Sequence, residues 1–273
     1  MLELSYACSG SRPLNKRMKM VKNEITKGGS HICRYENHEP KAPQVACGDD
    51  NLIEEISNHI EKYLGPISTV VHEIISGQVH IDIHIVPPKK ERNFYTLVTS
   101  GMSEKPMVIN TSKEPVEIYS ELMISLPPQW KMTEKDWKDE NNYWPIRWLT
   151  KLAHFPHDYD TYLLEGHSIP NNDPAEPLSK NTNFIGFVIG FPKLVPDEFK
   201  YLAARDKDII FFTLYPVYND EMMYKLEEGS DKFFELSESQ NLTELVDIRR
   251  KSILPQKSIF KKITTFLKSR NWL

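Results

Sequence analysis

The stretch from His80 to Met107 constrains the fold of this 273-residue chain more than any other stretch. Its first nine residues read HIDIHIVPP, so isoleucines alternate with histidine and aspartate. A period of two predicts a half-buried strand, and the two prolines end it because proline cannot donate to a ladder. The run Phe94–Thr99 predicts a second strand, which delivers a glycine-centred polar loop at its end.

The other segments predict helices placed before, between and after strands. Asp49 or Asp50 caps an amphipathic helix that ends at Gly65-Pro66. Ile67–Ile75 and Gln78–Val86 predict a hairpin with a tight turn at Ser76-Gly77. Further strands are predicted at Tyr119–Leu126, Phe184–Phe191 and Ile209–Val217, and the last two are expected to be buried on both faces. Helices are predicted at Thr133–Asp139, Trp144–Phe155, Glu221–Glu228, Asp231–Leu236 and Lys257–Trp272. Pro145 is expected in the first turn of the second of these helices, and Leu242–Leu245 is expected to prolong the fourth. This grouping favours an α+β fold over a regular βαβ wind.

Charge is unevenly distributed along the chain. Residues 1–34 carry seven basic and two acidic side chains, and residues 245–273 carry eight and one. The middle, 35–244, keeps 19 basic and 35 acidic side chains, a net of −16. An acidic body repels phosphates, which argues against direct nucleic-acid binding and suits a basic protein partner. The alternative is that acidic surfaces only keep the protein soluble.

The composition also predicts the compartment and argues against a zinc site built from cysteines. No run approaches the roughly 18 apolar residues of a membrane span, and the N-terminus lacks a signal-peptide pattern, so we expect cytoplasmic residence and no membrane contact. Residues 1–34 predict a basic extension, and the basic amphipathic helix within 250–273 is expected to dock on the acidic body. Three cysteines without CxxC spacing predict free thiols. A zinc site could be formed by His31, Cys33, His38 and Cys47, but none of these pairs has the close spacing from which structural zinc sites usually take two ligands.

One strand face offers an enzyme hypothesis. His80, Asp82 and His84 share a face at i, i+2 and i+4, and two imidazoles with a carboxylate suit zinc or non-haem iron in a metal-dependent hydrolase. The structural alternative is that they pair with neighbours on a polar sheet face. That alternative is favoured because a metal needs a full ligand count, so no metal, cofactor or catalytic residue is expected. Ser100 and Ser103 lack the flanking glycines of a hydrolase elbow.

Two polar loops are the predicted partner-binding residues. Thr99, Ser100, Gly101, Met102 and Ser103 follow a strand and can offer hydroxyls and backbone N–H groups. The proline-stiffened loop Gly166–Pro177 can present polar side chains with little ordering cost, namely His167, Asn171, Asp173 and Glu176. The alternatives are a tight turn at Gly101 and a loop tied down by its own side chains.

Six blocks, in order along the chain, carry a resemblance to a known family: RYENHEP, HIDIHIVPP, FYTLVTSGMSEKPM, ELMISLPPQW, NNYWPIRWLTKLAHFPHDY and GHSIPNNDPAEP. Together they resemble the suppressor of fused-like (SUFU) domain family. The resemblance covers about residues 35–249. It implies one domain with a mixed, mainly antiparallel β-sheet flanked by helices, and neither end of the chain takes part in it.

The same resemblance implies binding and not catalysis. Animal members of the family restrain a transcription factor, and bacterial members look like immunity proteins or antitoxins that neutralise a toxin, often a nuclease. We therefore expect a bacterial, non-enzymatic protein that sequesters a cognate basic toxin. A regulator that binds a linear peptide by adding it as a strand to a sheet edge is the other binding hypothesis.

Overall fold

The computed structural model describes residues 5–8, 20–35, 48–74 and 76–255. Within them the chain forms a mixed α+β fold, which confirms the predicted class. The helices are α1 (Asp50–Leu64), α2 (Glu140–Asp158), α3 (Asn219–Glu228) and α4 (Ser230–Ser239). The strands are β1 (Ser5–Cys8), β2 (Met20–Ile25), β3 (His31–Tyr35), β4 (Thr69–His72), β5 (Asp82–Val86), β6 (Tyr95–Ser100), β7 (Met107–Ile109), β8 (Val116–Leu126), β9 (Ser168–Pro170), β10 (Gly186–Gly190), β11 (Tyr201–Ala203) and β12 (Asp208–Val217).

The twelve strands that the structure describes join one sheet. Its main path runs β2-β3-β1-β9-β10-β12-β8-β6-β5-β4, with β11 paired to β12 and β7 paired to β8. Among the described strands β12 and β8 pair in parallel, and the other pairs are antiparallel. The sheet is therefore mixed and mainly antiparallel, as the family resemblance implies.

Helix α1 forms where the sequence predicts it. The Asp49 carboxylate caps the helix by accepting the N–H groups of Asn51 (3.1 Å) and Leu52 (3.3 Å). Its buried apolar residues recur at spacings of three and four, and they pack on the sheet. Gly65 ends the helix with a positive φ of 112°, a backbone conformation that residues other than glycine rarely adopt.

Helix α2 begins earlier than predicted, at Glu140, because Asp139 caps it by accepting the Asn141 N–H at 3.0 Å. Pro145 therefore lies inside the helix and not in its first turn. A proline there cannot donate to the carbonyl four residues earlier, which is that of Asn141. The side-chain amide of Asn181 donates to this carbonyl at 3.0 Å instead. A long-range hydrogen bond thus replaces the one that the proline removes, and the helix continues.

Helices cover both faces of the sheet. On one face α2 packs against alternate residues of the central strands, including Leu122 and Leu214. On the other face α1 packs near Met123, and α3 with α4 packs near Tyr215. Strand β12 is buried on both faces from Phe211 onward, which confirms its predicted central position. Strand β5 is also fully buried, so the predicted half-buried strand is wrong: α1 covers the face that carries its polar residues.

Two local predictions are wrong. Strands β4 and β5 do pair antiparallel, but the connection spans residues 73–81 instead of a tight turn, because β4 ends at His72 opposite Asp82. The segment Leu242–Leu245 does not prolong α4. Leu242 bends back so that its N–H donates to Ser237, and Leu245 bridges to Ser125 of the central strand β8. This segment therefore forms backbone hydrogen bonds with the sheet and not within a helix.

The N-terminal region contributes strands that its sequence pattern does not predict. Strands β1, β2 and β3 extend the sheet beyond β9, through the pair Ala7 and Ser168. Backbone pairing at a sheet edge needs no hydrophobic period, which explains the weak signal. The Gly28 N–H donates to the Leu226 carbonyl of α3 at 3.1 Å, so this hairpin contacts the helices. The predicted helix Lys257–Trp272 and the zinc candidates His38 and Cys47 lie outside the described residues.

Candidate functional site

The polar residues after β6 surround one buried carboxylate. Glu121 lies in β8 and is fully buried. Its Oε1 accepts the N–H of Gly101 (3.0 Å), the N–H of Ser103 (2.9 Å) and the Ser103 hydroxyl (2.5 Å). Its Oε2 accepts the Thr99 hydroxyl at 2.6 Å. Met102 is buried too, so the turn that the sequence offers to a partner points its polar groups inward, onto Glu121.

Gly101 is required by this arrangement. It adopts a φ of 104°, and a Cβ added there would lie 1.8 Å from the carbonyl oxygen of His80. Burial raises the pKa of Glu121, and the hydrogen bonds from Ser103 and Thr99 oppose that rise. Four donors converging on one carboxylate fix the turn at the end of β6. The arrangement accounts for these polar residues structurally, while their predicted contact with a partner stays a prediction.

The predicted loop Gly166–Pro177 is only partly a loop. Residues 168–170 form β9, which lies between β1 and β10. His167 and Asn171 are buried, and the Asn171 amide donates to the carbonyls of Glu176 and Pro177. Burial lowers the pKa of His167 to about 3. Asp173 and Glu176 are exposed, so they are the members of the predicted binding set that can reach a partner without rearrangement.

The polar face of β5 splits into two environments. The His84 Nε2 lies 2.8 Å from the Ser100 hydroxyl, and burial lowers the pKa of His84 to about 4. Asp82 and His80 instead meet His72, a residue of the neighbouring strand β4. The Asp82 Oδ1 lies 3.0 Å from His72 Nδ1 and 3.1 Å from His80 Nε2. The structure therefore replaces His84 by His72 in the set of residues that the sequence groups together.

Helices α3 and α4 expose most of their carboxylates. Asp231, Glu235 and Glu238 are exposed at i, i+4 and i+7 of α4, which places them on one side of that helix. We call these three residues the α4 acidic stripe. On α3, Asp220 and Glu227 are exposed on either side of Met223, a methionine that is 47% exposed. Residues 219–239 carry six exposed carboxylates and one exposed ammonium group. That ammonium group belongs to Lys232 and pairs with Glu228.

Sequence reasoning missed the two residues that organise these sites, Glu121 and His72. Glu121 begins the mostly apolar run ELMISL. A single carboxylate in such a run predicts a buried side chain that needs hydrogen-bond donors around it, so the sequence did indicate this residue. His72 carries no such signal, because only the register between β4 and β5 brings it opposite Asp82. Within the described residues, no helix combines the length and apolarity that crossing a bilayer requires.

Comparison with known proteins identifies the family. The sequence model of the family described as Suppressor of fused protein (SUFU) matches residues 77–251, well over half of the chain. Comparison with curated protein sequences gives no match. Among solved structures, a SUFU homologue from Neisseria gonorrhoeae FA 1090 is similar with a TM-score of 0.57 and 17% identity, covering 76% of this chain and 100% of that chain.

Two further structures share the fold. The Sufu–Fu complex matches with a TM-score of 0.52 and 15% identity, over 80% of this chain and 95% of that chain. Drosophila Suppressor of Fused matches with a TM-score of 0.52 and 14% identity, over 86% of this chain and 57% of that chain. These likenesses establish the mixed sheet flanked by helices as the fold of the family. Together with the family match, they show that this chain belongs to the suppressor of fused family.

Proposed function

We propose that this chain is a non-catalytic protein-binding domain that holds a basic partner, in the manner of an immunity protein that sequesters a toxin. The observation that carries the proposal is the concentration of exposed carboxylates on α3 and α4. The structural relative seen in the Sufu–Fu complex is itself bound to a protein, which supports binding as the activity of the fold. The predicted cytoplasmic location and bacterial origin fit this role and stay predictions.

Charge gives the surface its selectivity. The body of the chain, 35–244, carries a net charge of −16, and the α4 acidic stripe lies within it. Such a field speeds encounter with a positively charged protein and disfavours phosphate-bearing ligands. Nucleases expose a basic cleft to DNA, so an acidic cover for that cleft is one way to neutralise them. On α3, Met223 supplies an adaptable apolar contact between the exposed carboxylates of Asp220 and Glu227.

The predicted loop borders this surface. The Ser230 hydroxyl, at the start of α4, donates to the carbonyl of Gly166 at 3.2 Å. Farther along the loop, Asp173 accepts from Arg34 Nε at 2.9 Å and keeps 37% of its side chain exposed. Asp173, whose carboxylate already pairs with Arg34, and Glu176 are exposed carboxylates toward the far end of this loop. The buried members of the predicted set support the loops and hold these residues in place.

The test compares partner capture by matched charge variants. The purified full chain, immobilised, is exposed to lysate of the source organism at low and high salt. The wild type should retain a basic protein, and the triple variant of the α4 acidic stripe, Asp231→Lys, Glu235→Lys and Glu238→Lys, should lose it. A control triple variant makes the same charge change at exposed carboxylates elsewhere, at Glu91, Glu114 and Glu134. It should retain the partner.

A growth assay then tests the immunity role. The captured protein, expressed alone in a bacterial host, should arrest growth, and co-expression of the wild-type chain should restore it. The stripe variant should fail to restore growth, whereas the control variant should succeed. Capture of an acidic protein, or equal capture by both triple variants, would contradict the proposal.

Strand addition is the second candidate, and the position of β4 favours it. Strand β4 lies at the end of the sheet path and pairs only with β5 among the described strands. Its free edge can pair with an extended peptide by main-chain hydrogen bonds. A partner reduced to a short synthetic segment should then keep its affinity, and Val70→Pro should weaken it by removing an edge N–H. Loss of binding on reduction to any short segment would favour the folded partner.

A further inference from the structure

The end of β4 and the start of β5 bring two imidazoles and one carboxylate together. His72 is the last residue of β4 and lies directly opposite Asp82, the first residue of β5. His80 precedes Asp82 by two residues and closes the connection between the strands. Their position is fixed by backbone pairing on one side and by the connecting segment 73–81 on the other. His80 and Asp82 are thus neighbours in sequence, whereas strand pairing adds His72 to the set.

The distances suit a tetrahedral metal ion. The Asp82 Oδ1 lies 3.0 Å from His72 Nδ1 and 3.1 Å from His80 Nε2, and the three ligand atoms lie within 4.8 Å of one another. Zinc bound at about 2.0–2.2 Å to nitrogen and oxygen places neighbouring ligand atoms about 3.3 Å apart. The two distances from Asp82 Oδ1 differ from this spacing by a few tenths of an ångström, and the two imidazole nitrogens lie within 4.8 Å of each other, so rotation of the exposed His72 side chain toward His80 completes a coordination sphere with three protein ligands.

A second layer of contacts orients the ligands. The His80 Nδ1 lies 2.6 Å from the Ser76 hydroxyl, which leaves Nε2 directed at Asp82. Metal-bound histidines commonly have such a partner on the other ring nitrogen, because it fixes the ring and its tautomer. Glu73 holds the connecting segment in place, since its carboxylate accepts the Ile81 N–H at 3.3 Å and pairs with His154 at 2.8 Å.

The site opens on one side to solvent. The Asp82 side chain is 4% exposed and that of His80 is 19% exposed, whereas that of His72 is 69% exposed. An ion can enter past His72 and keep a water molecule in its fourth position, as three-ligand sites do. Two imidazoles and one carboxylate match the preferences of Zn²⁺ and its first-row neighbours better than those of Mg²⁺ or Ca²⁺, which take oxygen ligands.

We propose that His72, His80 and Asp82 form a binding site for a divalent transition-metal ion, with Zn²⁺ as the reference ligand. Ser76 is a positioning residue that acts through His80. The bound ion links the end of β4 to the segment that precedes β5, and so it makes this end of the sheet edge more rigid. The competing arrangement is one in which Asp82 only accepts two N–H hydrogen bonds from the imidazoles, and it predicts no specific metal affinity.

The test is a metal titration of the full chain, purified without a metal column and dialysed against a chelator. Zn²⁺ added in competition with a chromophoric chelator should bind at one equivalent per chain. Co²⁺ added to the same protein should give visible bands of a low-symmetry, nitrogen- and oxygen-ligated site. His72→Ala should weaken Zn²⁺ binding by at least about 100-fold, because a ligand is lost. Ser76→Ala should weaken it by about 10–100-fold.

The controls separate the site from unspecific binding and from misfolding. His72 is exposed, so its replacement leaves the core intact, and circular dichroism should match the wild type. His31→Ala removes a partly exposed histidine of β3, outside the cluster, and should leave the affinity unchanged. Zn²⁺ should also slow amide exchange at residues 69–82 in the wild type and not in His72→Ala. No binding at one equivalent, or equal affinity of His72→Ala and wild type, would overturn the proposal.

Discussion

Replacing Glu121 by leucine tests the claim that one carboxylate organises the turn after β6. The substitution removes the acceptor for four hydrogen bonds, two of them from the backbone N–H groups of Gly101 and Ser103. The hydroxyls of Ser103 and Thr99 can rotate toward other acceptors, but the two N–H groups cannot. The buried N–H groups then lack a partner, while the chain no longer carries the cost of burying a charge.

The expected loss follows from these groups. A buried polar group without a partner costs about 1–3 kcal/mol, so two N–H groups cost about 2–6 kcal/mol. Relief of charge burial offsets part of this, and we expect Glu121→Leu to lower the free energy of unfolding by about 2–4 kcal/mol. Glu121→Gln keeps an oxygen toward both N–H groups and turns its amide toward Thr99, so we expect a loss of about 1 kcal/mol.

Urea unfolding followed by circular dichroism measures these losses. Ser120→Ala is the matched control: Ser120 is the preceding residue of the same strand, is buried, and its hydroxyl has no hydrogen-bond partner among the described residues. Its removal should change stability by less than about 0.5 kcal/mol. If Glu121→Leu is as stable as the wild type, or if Ser120→Ala costs as much, the reasoning about the buried acceptor is refuted.

Three other outcomes follow from the described contacts. Burial lowers the pKa of His157 to about 4, while its Nε2 donates to the Met102 carbonyl at 2.9 Å. In the unfolded chain this imidazole has a pKa of about 6.5. The free energy of unfolding is therefore highest above that pH and falls by about 3 kcal/mol as the pH drops to 4. His157→Gln should flatten this part of a pH series of unfolding midpoints. Arg250→Met should cost about 3–5 kcal/mol in urea unfolding, because it strands the buried Glu221 carboxylate that Arg250 Nη2 contacts at 2.6 Å, and Arg250→Lys should cost less; equal losses would contradict this. Gly101→Ala should cost about 3 kcal/mol or more by thermal melting, since φ is positive and the added Cβ overlaps a carbonyl oxygen; a melting temperature equal to that of the wild type would refute it.

Local signals predicted the elements whose partners lie nearby in sequence. The cap at Asp49 and the apolar spacing predicted α1 to within a residue, since a helix satisfies its own backbone. The largely apolar run at β12 predicted a strand buried on both faces. The same signals placed Pro145 wrongly, because the hydrogen bond from Asn181 that permits a proline inside α2 comes from a distant segment.

The candidate site was less accessible to such reasoning. The alternation in β5 correctly grouped His80 with Asp82, but strand period alone assigned His84 as the third member. The register with β4 decided for His72, and contact with Ser100 removed His84 from the set. The turn after β6 was recognised as a cluster of polar groups on a glycine. Its orientation toward the interior depends on Glu121, which approaches from another strand.

By itself the sequence determined the α+β class, the family, the central apolar strands and the acidic character of the body, because these depend on residue type and short-range period. Only the tertiary structure decided which polar groups face inward, which histidine meets Asp82 and which carboxylates remain exposed on α3 and α4. Those outcomes depend on strand register and on which helix covers which face, and both are fixed by packing between segments far apart in the chain.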